Sequence, residues 1–143
     1  MINENIKNLR LQHQLTQEQV AEHIQVSRQA VAKWEKGESV PDVNSCIALA
    51  KLFHVTIDNL VNYDDNGLGL NVPPKGKHLL GIVKMGERGQ IVIPKKARDV
   101  FQLQAGDTLI IVGDEERGLA IVPESYMGQF FSLVKTSLDN NLE

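Results

Sequence analysis

Apolar residues recur at three- to four-residue intervals through the first part of the chain. Ile2, Ile6 and Leu9 are followed by Val20 and Ile24, then Ala30, Val31 and Trp34, then Ile47, Leu49, Ala50, Leu52 and Phe53. This is the period of helices that each bury one face. Start signals punctuate the runs. Thr16 with Gln19 three residues on is a capping-box pattern, Ser27 precedes the third run, Asp42 after Pro41 precedes the fourth, and Thr56 opens a short last helix before Leu60. Gly37 is placed to end the third helix. The pattern predicts five short helices with tight connections, an all-α domain over residues 1–63.

From Asp64 the period is lost in Asp64-Asp65-Asn66-Gly67-Leu68-Gly69 and Pro73-Pro74-Lys75-Gly76, so residues 64–77 are expected to be a flexible linker. At about 3.4 Å per residue it would extend roughly 48 Å. Beyond it the pattern becomes that of strands: Leu80–Met85, Ile91–Ile93, Leu109–Val112 and Leu119–Val122, each bounded by Gly, Pro or Asp. The polar stretch Gly113–Gly118 joins the last two as a hairpin. Pro94, lacking an N–H, suits the first position of a helix over Lys95–Phe101. Residues 78–124 thus form a small, mainly β domain, too small to hold together alone without a disulfide, a metal or a partner, and homodimerisation is the simplest remedy. In the tail, residues 125–143, Met127, Phe130, Phe131, Val134 and Leu138 recur at helical spacing. This C-terminal amphipathic helix either packs on its own dimer's sheet or docks on another protein.

Composition is that of an ordinary folded protein: 143 residues, 42% apolar and 23% charged. No apolar run approaches the roughly 18 residues of a membrane span and no signal-peptide core is present, so a cytoplasmic location is expected. Cys46 has no cysteine partner and stands in an apolar helical pattern, where a thiol packs as a small hydrophobe. The net charge of −3 hides an uneven distribution. Residues 1–62 carry six bases and seven acids, whereas residues 75–98 carry Lys75, Lys77, Lys84, Arg88, Lys95, Lys96 and Arg98 against Glu87 alone, a net of +6. Polyanion binding depends on such local charge.

In the third helix, Ala30, Val31 and Trp34 can face inward while Arg28, Gln29 and Lys33 point out. Arginine offers a donor fork to guanine O6 and N7, glutamine pairs with adenine N6 and N7, and both edges lie in a groove that admits one helix. Gln17, Ala21, Val26, Ser27, Val31, Trp34, Glu35 and Gly37 fall in the order of a helix-turn-helix. With Leu15-Thr16-Gln17-Glu18-Gln19-Val20-Ala21, Lys33-Trp34-Glu35-Lys36-Gly37 and Pro41-Asp42, residues 2–61 resemble the Xre family of phage-repressor and Cro-like domains. The resemblance implies a lambda-repressor-like fold, contacts to the DNA backbone from Gln17, Ser27 and Lys36, and base reading by Arg28, Gln29 and Lys33. Gln25 stands where glycine is usual, at a cost of about 1 kcal/mol.

Gly81-Ile82-Val83-Lys84, Gly86-Glu87-Arg88-Gly89-Gln90-Ile91-Val92-Ile93-Pro94-Lys95-Lys96-Ala97-Arg98 and Ala105-Gly106-Asp107 make residues 79–123 resemble the SpoVT/AbrB family. That resemblance implies a swapped-hairpin dimer in which basic residues bind DNA, here Lys84, Arg88, Lys95 and Arg98, with Gln90 at a loop position that is arginine in strong DNA binders. Catalytic and metal signatures fail: Gly67-Leu68-Gly69-Leu70-Asn71-Val72 ends in Val, Gly76-Lys77-His78 lacks the rest of a phosphate loop, and His13, His23, His54 and His78 have no ligand spacing with Cys46. The expectation is therefore multidomain: a five-helix all-α unit plus a small swapped-hairpin unit with a C-terminal helix. It is a homodimer or a higher oligomer built from it, a repressor that binds double-stranded DNA. It is not an enzyme and uses no cofactor or metal. The alternative is an antitoxin-like protein whose tail clasps a toxin and which autoregulates its operon.

Overall fold

The structure, a computed structural model, describes residues 1–128. The chain forms two compact units, Met1–Leu79 and Leu80–Glu143.

The first unit holds five helices: α1 (Ile2–Gln12), α2 (Gln17–Ile24), α3 (Arg28–Lys36), α4 (Val43–Leu52) and α5 (Ile57–Asn62). Their starts are chemically specified. The Thr16 hydroxyl accepts from the Gln19 N–H while the Gln19 side chain accepts from the Thr16 N–H. Ser27, Asp42 and Thr56 each accept a backbone N–H three residues on. Gly37 ends α3 in the left-handed region at φ +74°, and Gln25 ends α2 there at φ +59°. Ile6, Leu9, Val20, Val31, Leu49, Phe53 and Leu60 form the centre of the core. Cys46 is buried against it, its thiol near the Pro41 carbonyl.

Residues 64–77, expected as a flexible linker, are in large part docked on this unit. Val72 is 4% exposed within the helical core, the Tyr63 hydroxyl meets the Leu70 carbonyl, and the Asn59 amide donates to the Pro73 carbonyl. The Lys75 N–H donates to the His54 carbonyl at 2.9 Å. Asp65 braces the turn by accepting from the N–H groups of Gly67 and Leu70. Buried Asn5, inside the apolar stripe of α1, donates to the carbonyls of Leu60 and Tyr63 and satisfies the end of α5.

The second unit contains α6 (Lys95–Val100) and an antiparallel hairpin of β1 (Leu109–Asp114) and β2 (Gly118–Pro123), followed by a 3-10 turn at Glu124–Tyr126. Ile111 faces Ile121 across the ladder, and Asp114 caps the connecting turn through the Glu116 N–H. Pro94 occupies the N-cap of α6, with Lys95 in the first helical position. The strands expected at Leu80–Met85 and Ile91–Ile93 do not form regular strands. A strand needs a ladder partner, and among the described residues no backbone bond joins the two segments, the bond from the Gly86 N–H to the Gln90 carbonyl closing only the turn between them. Of the tail expected to be helical over 125–143, residues 129–143 lie outside the described residues.

Candidate nucleic-acid interface

The helix-turn-helix is built by α2 and α3. Val31 and Trp34 are buried, Ala30 is half-buried, and Arg28, Gln29, Lys33 and Lys36 are exposed. A helix whose inner face is spent on packing presents those side chains on a fixed frame. The turn between the helices is held by the Val26 N–H on the Ala21 carbonyl, which needs the left-handed geometry of Gln25.

A network unassigned by sequence ties α1, α2 and α3 together. Arg10 donates from Nε and Nη2 to the two carboxylate oxygens of Glu35 at 2.6 and 3.0 Å, and from Nη1 to the Leu15 carbonyl. Gln17 adds a third donor to Glu35 at 3.0 Å. The paired side chains are only 13% and 4% exposed. Burial pushes the Glu35 carboxyl up, but the hydrogen bonds from Arg10 and Gln17 and the charge of Arg10 outweigh it, holding the carboxyl below its usual range. The same hydrogen bond raises Arg10. The one pattern signal was that Glu35 follows buried Val31 by four residues, on the same side of α3.

Gln17 is therefore half-buried with its amide turned to Glu35, and the group this position offers to a phosphate is the backbone N–H at the first position of α2. The Ser27 hydroxyl is engaged with the Ala30 N–H. In the second unit Lys84, Arg88 and Arg98 are exposed, while Lys95 sits 4.0 Å from Asp99, both exposed. Among the described residues no cluster of three His, Cys, Asp or Glu side chains could hold a metal, and no helix is long and apolar enough to cross a membrane.

The helix-turn-helix family matches residues 6–60, and the antidote-toxin recognition family MazE, a bacterial antitoxin, matches residues 82–129. The HTH-type transcriptional activator BcrR of Enterococcus faecalis is 44% identical over 63 residues, 44% of this chain and 31% of that protein. An uncharacterized HTH-type transcriptional regulator of Methanocaldococcus jannaschii is 38% identical over 61 residues, 43% of this chain and 92% of that one. The P22 c2 repressor, solved with a synthetic operator, is 26% identical at a TM-score of 0.44, over 45% of this chain and 97% of that one. The chain thus spans 31% of the length of the enterococcal activator.

Proposed function

The chain belongs to the helix-turn-helix family of transcriptional regulators through its first unit, and on that premise we propose that it is a sequence-specific DNA-binding regulator acting as a homodimer. The α3 face carries this reading. Buried Val31 and Trp34 leave Arg28, Gln29 and Lys33 outward, with the side-chain chemistry that reads guanine and adenine edges in the major groove. Lys36, Ser27 and the Gln17 N–H serve the sugar-phosphate backbone, which positions without specifying.

The homodimer rests on the second unit. Ile82, Val83, Met85 and Val92 are exposed, and so are Ile111, Leu119 and Ile121 on one face of the hairpin. An isolated two-stranded hairpin is marginal in water, and apolar surface of this extent marks an interface. A second copy supplies the ladder partners that residues 80–93 lack. Lys84, Arg88, Lys95 and Arg98 then add phosphate contacts. Such a dimer on an operator that overlaps a promoter excludes polymerase, so its default output is repression, and the role is one of binding rather than catalysis.

Selection of bound sites from random duplex DNA, with the full chain and with Arg28→Ala, tests this. The full chain should enrich one motif, and the variant should lose preference at one position of it. Failure of the full chain to enrich any motif overturns the reading.

The match of residues 82–129 to an antitoxin family favours a second reading, in which the protein neutralises a toxin and represses its own operon. A toxin-sized reading frame beside the gene, toxic alone and harmless when both are expressed, would support it. A neighbour that is harmless alone would remove it.

A further inference from the structure

Gln90 occupies a strongly basic stretch, yet its side chain folds back across its own loop. Its Oε1 accepts the Arg88 backbone N–H at 3.0 Å, and its carbonyl accepts the Gly86 N–H at 2.8 Å. The Gly89 N–H closes on the Gly86 carbonyl at 3.0 Å, with Gly89 at φ +81°. The amide lies over Gly86 so closely that a Cβ there would stand 2.7 Å from the Gln90 carboxamide carbon. Positions 86 and 90 are thus matched: the glycine leaves the space that the glutamine fills. Arg88 sits at the exposed tip of this closed turn, and among the described residues no acid pairs with it.

We propose that Gln90 is a positioning residue for DNA binding by the second unit, fixing the 86–90 turn so that Arg88 is held ready for a phosphate. The proposal rests on the DNA-binding reading above. An arginine on an ordered turn loses less conformational freedom on contact than one on a loose loop, and that difference appears as affinity. The side chain of Gln90 does its work inside the loop, and the charge that meets the nucleic acid is supplied two residues earlier.

The test uses the full chain on its selected site, titrated at several salt concentrations. Arg88→Ala should weaken binding severalfold and lower the salt slope by about one. Gln90→Met removes the acceptor at nearly constant size, and Gly86→Ala evicts the glutamine while leaving it in the chain. Neither alters charge, and each should weaken binding about threefold to tenfold. Both keep the Arg88 charge and its contact, so the salt slope of each should stay that of the unaltered chain, and the loss should disappear once Arg88 is alanine, which a merely structural loosening would not do. Combined with Arg88→Ala, neither should add more than about twofold. Additive losses would overturn the positioning role and return Gln90 to a direct contact. Should Arg88→Ala bind as the unaltered chain does, the phosphate reading of the second unit falls, and this proposal with it. Sedimentation of each variant as the parent does keeps folding out of the comparison, and two variants acting by different routes protect it if one fails.

Discussion

Arg28 and Lys36 stand at opposite ends of α3, both exposed, and in the proposed complex they would meet different parts of a duplex. Arg28→Ala should cost about 1 to 3 kcal/mol on the preferred site with little loss on random DNA, whereas Lys36→Ala should weaken both alike. Anisotropy titrations on the two duplexes check this. The outward set Arg28, Gln29 and Lys33 was legible because burial of Val31 and Trp34 has a period. The Arg10–Glu35 pair was not legible, because an ion pair spanning 25 positions leaves no periodic trace. It has its own consequence. The Glu35 carboxyl is depressed in the folded protein, so its contribution is present above the ordinary value of about 4.3 and is lost as pH falls through and below it. Glu35→Gln should therefore be less stable near neutrality, by about 1 kcal/mol for a part-buried pair screened by nearby solvent. The difference in melting temperature from the parent should shrink as the pH is lowered from about 5 to about 3. A constant difference would show that the pair does not govern the acid limb.

Among the elements, four of the five helices of the first unit announced themselves because the starts of α2, α3, α4 and α5 each carry their own hydrogen-bond acceptor, whereas α1 begins just after Met1 and is marked by its apolar period alone. Thr16, Ser27, Asp42 and Thr56 all cap as their chemistry predicts. The turn of the helix-turn-helix carries a cost in Gln25, which holds φ +59° and ψ +47° without glycine's freedom. Gln25→Gly should raise stability by about 1 kcal/mol, read as a shifted urea midpoint at unchanged slope, with DNA affinity retained. The segments at 80–85 and 91–93 were the least legible elements. Alternation of apolar residues states a preference for a strand, but a strand exists only with its ladder partner, and among the described residues one chain supplies only turn bonds there. The hairpin of β1 and β2 formed where expected because both partners are local in sequence.

At the scale of the whole molecule, the full chain should sediment as a dimer at low micromolar concentration, and Ile111→Lys with Leu119→Lys should shift it toward monomer by charging the exposed apolar face. A monomer before any substitution would remove the paired-unit reading. The division into two units followed from the change of hydrophobic period, but the length of the connection did not. Val72 is one apolar residue in a turn-rich run, with no period to betray that it is buried. Because Lys75 is bonded to His54 and the second unit begins at Leu80, only residues 76–79 lie between the last tie to the helical core and the second unit, about 14 Å at full stretch. A leash so short cannot follow a half-site around the cylinder of the duplex. Operator recognition by this protein should accordingly keep rotational phase. Inserting about five base pairs between half-sites, half of a 10.5-pair turn, should abolish paired binding, and Val72→Ser, by paying out chain from the core, should restore part of it.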